Sequence, residues 1–250
     1  MKSTSILGSR IANTSYSEVL KFVEKSIDNG KKINKYICCC NVHVVIEAYK
    51  SSKYLEAINN SSINTPDGVP LTWVQNINTR PKVSRVYGPD LMLRLCDLAS
   101  EKNYSIGFYG STDKTLIKLK SKILDRNCGM KIPVIIAPPY RELTEIENEK
   151  FVSEINRKNV DILFVGLGAP KQELWMFHNK DKVNSVMLGV GAAFDFLSGN
   201  KVQAPFVFQK YGLEWLFRLV TEPRRLFIRY LTTNSLFIFL IVKQLIKLKD

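Results

Sequence analysis

The sequence predicts an α/β fold: a mostly parallel β-sheet with helices on both faces, followed by a C-terminal helical appendage. Three observations carry this. From residue 5 to about 200, short apolar runs alternate with amphipathic stretches, and strands alternating with helices build parallel β-α-β units. The chain of 250 residues is 45% hydrophobic and 24% charged, enough to bury one sizeable core. After about residue 205 the composition turns aromatic and cationic. The expected division is therefore 1–204 for the α/β domain and 205–250 for the appendage.

Taken in order, strands are expected at Ser5–Gly8, Tyr36–Cys40, Ser62–Thr65, Ser105–Tyr109, Pro133–Ala137, Asp161–Gly166 and Ser185–Val190. The first intervening helix is "SYSEVLKFVEKSIDNG", which gathers Val19, Phe22, Val23 and Ile27 on one face. It opens on serines and closes on Gly30, the residues that cap helices. In "YICCCNVHVVIEAY" the strand period sends Cys38 and Cys40 to one face and Cys39 to the other. "SIGFYGSTDKTL" runs from strand to helix with Ser111 or Thr112 as N-cap, and reads as structural. In the tail, the longest stretch without a formal charge is 13 residues, Tyr230 to Val242. A spanning helix needs roughly 20 mostly apolar residues, so the expectation is a helix lying on a membrane surface. An ordinary final helix packed on the core is the alternative.

The net charge is +13, which favours an anionic partner: nucleic acid, phospholipid or a phosphorylated substrate. Eight cations and three acids from Lys210 onward put +5 of it in the apolar tail, which argues for a membrane and against nucleic acid. Five cysteines, three of them adjacent, make a poor disulfide framework. Without a C-x-x-C pair, and with only His43 and His178, structural zinc is not expected. The opening "MKSTSILGSRIANTS" lacks the apolar stretch of a secretory signal, so a reducing cytoplasm is expected.

Several strand ends bear residues suited to chemistry. "ILFVGLGAPKQELW" leads a strand into Gly166 and Gly168, then Pro170 and a helix with Gln172 and Glu173. Glycines there let backbone N–H groups approach a phosphate, and proline suits a first helical turn; a tight turn without a ligand is the competing reading. The third glycine of a dinucleotide fingerprint is replaced by Lys171. "VMLGVGAAFDFLSGN" repeats the design with Gly189, Gly191 and Asp195; that aspartate either bonds a sugar hydroxyl or caps a helix. Asn41, directly after a strand, is the ligand-contacting candidate of its segment, and His43 reads as a satisfied helix-start residue. "INTPDGVPLTW" sets Asp67 in a Pro-Asp-Gly turn, and Arg85 follows in "SRVYGPDLM". A carboxylate and a guanidinium supply a base and a phosphate clamp; a turn-former and a surface arginine are the plainer readings. No Asp-x-Asp, P-loop or G-x-S-x-G sequence is present.

"TPDGVPLTW", "SRVYGPDLM", "GFYGST", "DILFVGLGAPKQELW", "LGVGAAFDFLSG" and "LEWLFRLVTEPRRLFIRYL" follow one another along nearly the whole chain. In that order they resemble the WecG/TagA/CpsF glycosyltransferases, glycosyltransferase family 26. The resemblance implies a Rossmann-like catalytic domain and an inverting transfer from a UDP-sugar to a polyprenyl-diphosphate-linked saccharide. The sugar would be N-acetylmannosamine, N-acetylmannosaminuronic acid or glucose, the product a bacterial surface polysaccharide. It implies a protein peripheral on the inner face of the cell membrane, with self-association and membrane binding competing for the appendage. No metal or other cofactor is implied, in keeping with the missing Asp-x-Asp.

By position, Asp67 matches the family's general base, Arg85 an arginine near the donor phosphates, Gln172 the glutamine of the P-K-Q-E turn, and Asn41 the asparagine after the second strand. Cys39 stands where threonine is common, which weakens hydrogen bonding to substrate. Arg218, Arg224, Arg225 and Arg229 match a basic set that closes over the diphosphates. Two other readings compete: a non-catalytic nucleotide- or lipid-binding module on this scaffold, and a dinucleotide-dependent oxidoreductase. The oxidoreductase ranks last, because it calls for a ribose-binding acid about 20 positions after the first glycines, and 186–190 contain none.

Overall fold

A computed structural model of the chain describes residues 1–30 and 34–247, without the side chains of residues 78, 225 and 247. Its strands are β1 (Ser3–Ile6), β2 (Ser9–Ala12), β3 (Tyr36–Cys40), β4 (Ile63–Pro66), β5 (Ser105–Gly110), β6 (Lys131–Ile136), β7 (Ile162–Gly166) and β8 (Val186–Gly189). The helices are α1 (Tyr16–Asp28), α2 (Val42–Lys50), α3 (Ser52–Asn59), α4 (Val69–Asn78), α5 (Gly88–Lys102), α6 (Asp113–Arg126), α7 (Glu145–Arg157), α8 (Lys171–Asn179), α9 (Ala193–Leu197), α10 (Phe206–Lys210), α11 (Glu214–Thr221) and α12 (Pro223–Lys247).

Six strands form one sheet in the order β4-β3-β8-β7-β5-β6, and each neighbouring pair is parallel. All six carboxyl ends therefore open on the same side. The two faces are separately packed, as the strand period requires: Tyr36, Cys38, Cys40, Leu163 and Val165 enter one apolar layer. Ile37, Cys39, Ile162 and Phe164 enter the other. Helix α1 begins with a capping box between Ser15 and Glu18, and α6 is capped by Thr112.

The N-terminus departs from expectation. In place of one strand at Ser5–Gly8, β1 and β2 form a separate antiparallel hairpin. Leu7 and Gly8 turn it, both with positive φ (49° and 86°), the twist of a two-residue hairpin loop. Glycine supplies that conformation freely, but leucine in the first position is not a usual hairpin signal, and so the segment read as the end of a strand.

The tail also differs. Beyond α10 and α11, residues 223–247 form one helix, of which Leu226–Ile246 has a mean hydropathy of 1.4, long and apolar enough by length and composition to cross a bilayer. Arg229 and Lys243 bound the charge-free run, but the helix stays apolar through both. Its inner face is packed against the domain: Phe237, Leu240 and Ile241 are buried in the first apolar layer. Burying side chains of this size contributes about 1.5–3 kcal/mol each. Near its end, Gln244 Nε2 donates to Ser5 O (2.9 Å) and its Oε1 accepts from Leu7 N–H (2.9 Å), tying α12 to the hairpin.

Candidate active site

Beyond the carboxyl ends of β3, β4, β7 and β8 lies a cleft of about 1080 Å³, roofed by α11 and α12. Open α/β sheets bind ligands at this edge. Cys39, Asn41, Asp67, Arg85, Gly166, Gly168, Gln172, Gly191, Asp195, Arg218 and Arg229 all line it.

The β3 and β4 ends are joined by backbone: the Asp67 and Gly68 N–H groups donate to Cys40 O at 2.8 and 3.2 Å. A Cβ on Gly68 would stand 3.2 Å from Asn41 Cα, so the turn approaches closer than a larger residue readily permits. Asn41 Oδ1 accepts from Val44 N–H at 3.2 Å and so caps α2 while lining the cleft. Asp67 is a turn-former and a held carboxylate at once. Its Oδ1 accepts from Gly88 N–H (2.7 Å), the first residue of α5. Burial raises the Asp67 carboxyl above its ordinary pKa, and Glu214 adds to the rise; Arg85, the Gly88 N–H and Arg218 oppose it.

Asp67 and Arg85 do meet, though not as carboxylate and clamp. Arg85 Nε donates to the backbone oxygen of Asp67, and Nη2 donates to Glu214 Oε2 at 2.7 Å. Its guanidinium stacks 4.0 Å over the Tyr87 ring, and Tyr87 Oη donates to Glu214 Oε1 at 3.3 Å. Arg85 is thus already paired to a carboxylate from the tail.

At the β7 end, Gly168 N–H donates to Gln172 Oε1 (3.2 Å), and Gln172 Nε2 donates to Glu173 Oε1 (2.7 Å). Glu173 is wholly buried and also accepts from Tyr54 Oη at 2.8 Å. Burial raises its carboxyl pKa, while the Gln172 and Tyr54 hydrogen bonds lower it. Pro170 does not line the cleft. It follows a cis peptide bond and precedes α8 as its N-cap, one position before the expected first turn. At the β8 end Asp195 falls in the first turn of α9 and pairs with Lys201 Nζ at 3.0 Å; that ammonium also meets Glu222 Oε2 at 3.4 Å. The 105–116 segment stays out of the cleft, as a structural turn should.

Two further expectations are corrected, those for His43 and Arg224. His43 lies in the first turn of α2, but it lines the cleft, and its buried Nδ1 has no hydrogen-bond partner among the described residues. Burial and nearby Arg229 lower its pKa. Arg224 is exposed and outside the cleft lining, because it precedes the turn of α12 that faces inward. The Arg225 side chain lies outside the described residues. Arg218 stacks 5.6 Å over Phe196, and its Nε is buried without a partner among the described residues. Among those residues no group of three or more His, Cys, Asp or Glu side chains is placed to hold a metal ion.

Glu214 and Lys201 were not singled out from the sequence. Glu214 is one of only three acids after residue 209. An acid standing alone in a basic segment was the available signal.

A parallel sheet with glycine-rich strand ends, a buried-side carboxylate and a cationic roof defines an α/β enzyme built around an anionic substrate. The glycosyl transferase WecG/TagA/CpsF family model matches residues 4–250, and the chain belongs to that family. It is 28% identical over 245 residues to the N-acetylglucosaminyldiphosphoundecaprenol N-acetyl-beta-D-mannosaminyltransferase of Staphylococcus aureus strain NCTC 8325 / PS 47. That match covers 98% of this chain and 94% of the relative. The proteins of the same name from strains COL and MRSA252 match with the same identity and coverage. The resemblance read from the six motifs is therefore borne out, and the protein is a glycosyltransferase.

Proposed function

We propose that the protein transfers N-acetylmannosamine from a UDP-sugar to N-acetylglucosaminyl-diphospho-undecaprenol, with inversion at the anomeric carbon, as a step in surface polysaccharide synthesis. The relatives' name supports this sugar over the uronic acid and glucose alternatives. The observation that carries the chemistry is the Asp67 carboxylate, held by Gly88 N–H at the cleft wall with its pKa raised by burial.

In this reading Asp67 takes the proton of the acceptor hydroxyl as its oxygen bonds to the anomeric carbon. The bond from that carbon to the UDP oxygen breaks on the opposite face, and the electron pair leaves with UDP. Arg218 and Arg229, on the cleft roof, offset the diphosphate charge. Gly166, Gly168, Gln172, Gly191, Asn41, Asp195 and Cys39, all in the cleft lining, form the donor side. Residues 1–204 supply the catalytic domain. Residues 205–250 supply the roof and the membrane contact, where Phe206, Val207, Val220, Phe227 and Ile228 are exposed. Apolar side chains mixed with cations on this face support a peripheral position on the inner membrane face. Self-association through that same face competes with the bilayer.

The test is transfer by the full chain in detergent or vesicles containing the lipid-diphosphate N-acetylglucosamine acceptor, with a panel of UDP-sugars. UDP-N-acetylmannosamine should give a β-linked disaccharide lipid. Transfer from another UDP-sugar alone would overturn the sugar assignment, and no transfer from any would overturn the reaction.

A further inference from the structure

Glu214 joins the roof to the Asp67 loop through Arg85 and Tyr87. Helix α11 has no buried residue of its own. Its approach is made by the preceding turn, where Gly212 (φ +70°) leaves no room for a Cβ: one would stand 2.9 Å from Val69 Cγ1 and 3.3 Å from Trp73. Val69 and Trp73 belong to α4, which begins directly after Gly68. From that seat, Glu214 reaches Arg85 and Tyr87, with side-chain exposures of 14% for the glutamate and 18% for the arginine. The pair is therefore largely sheltered from water, where one charged bond is stronger than at an open surface.

Two carboxylates thus compete for one guanidinium. Arg85 already touches the backbone of Asp67, so with Glu214 withdrawn the nearest carboxylate is Asp67 itself. An arginine bonded to a base lowers its proton affinity and occupies the lone pair that must receive the proton. We propose that Glu214 is a positioning residue: docking of α11 draws Arg85 onto Glu214 and leaves the Asp67 carboxylate open to the acceptor. This rests on the reading of Asp67 as the base. Among the described residues, the titratable groups facing Asp67 are Arg85 and Tyr87 just before α5, Glu214 and Arg218 from α11, Cys39 and Cys40 from β3 and Tyr16 from α1. Of the tail's two, the glutamate pushes Asp67 toward holding its proton and the arginine pulls the other way.

The experiment compares wild type, Glu214→Gln and Asp67→Asn as full-length proteins in the transfer assay across pH. Glutamine keeps an acceptor for Arg85 but removes the charge. In E214Q the acid limb of kcat/KM should move to lower pH by roughly 0.5–1 unit, as for one charge removed nearby. With the base weakened, kcat should fall about 3–10-fold while the donor KM stays within about threefold. An unmoved limb, with activity reduced equally at every pH, would mean Glu214 only holds the fold and would overturn the proposal. A fully active D67N would instead remove the base assignment on which it rests. Glu214→Ala is read independently by hydrogen–deuterium exchange: residues 83–88 should exchange faster while β5 is unchanged. Faster exchange in both, or in neither, would overturn the proposal.

Discussion

Replacing Tyr54 by Phe isolates the hydrogen bond beneath the β7 turn. The ring is buried and stays so; only its hydroxyl is lost, and with it the donor to Glu173 Oε2 at 2.8 Å. Glu173 has no exposure to recover that bond from water. A hydrogen bond to a charged group contributes about 1.5–3 kcal/mol. For a chain of this length that is a fall in Tm of roughly 3–12 °C. The pH dependence has a definite sign. The Tyr54 bond lowers the Glu173 pKa, so the variant carboxyl holds its proton to higher pH than the wild type. The penalty is full where Glu173 is ionised and shrinks as acidification protonates it. Urea unfolding at about pH 8 and about pH 5 measures both values. Because Gln172 leans on the same carboxylate, donor KM should rise as well. A loss below about 0.5 kcal/mol at the higher pH, or one that grows on acidification, would refute the reasoning.

Two other outcomes follow from packing. Gly166→Ala would put a Cβ 2.6 Å from Phe194 Cε2, a ring already wedged against Phe108; it should cost about 1–3 kcal/mol by overpacking and weaken UDP binding in calorimetry. Full stability with unchanged UDP affinity would contradict that. With a small thiol reagent, Cys128 alone should react quickly in the native protein, because Cys38, Cys39, Cys40 and Cys96 are buried. Fast reaction at Cys38, Cys40 or Cys96, none of which is exposed, would show that the central strands open.

The fold was legible where strand period and capping act locally. Tyr36–Cys40 was read to the residue, and the split of Cys38 and Cys40 from Cys39 is the one observed. The hairpin was not, since Leu7 carries no hairpin signal and only pairing with β2 fixes its positive φ. Much of the cleft lining was legible for a topological reason: in a parallel sheet every strand ends on the same side, so Asn41, Asp67, Gly166 and Gly191 share one edge whatever their separation. What a strand-end pattern cannot encode is the contact between Arg85 and Glu214, 129 residues apart. Nor can it encode the buried pairing of Glu173 with Tyr54, 119 residues apart. Pro170 and Arg224 lie outside the cleft lining because each belongs to a motif whose neighbours face the cleft.

The central claim is that Asp67 removes the acceptor proton, and Asp67→Asn tests it most directly. Asparagine retains the Oδ1 that accepts from Gly88 N–H, so the loop should keep its shape while losing the base. Transfer from UDP-N-acetylmannosamine should fall about 10²–10⁴-fold, with UDP affinity within about threefold of wild type. Transfer within about tenfold of wild type would contradict the account.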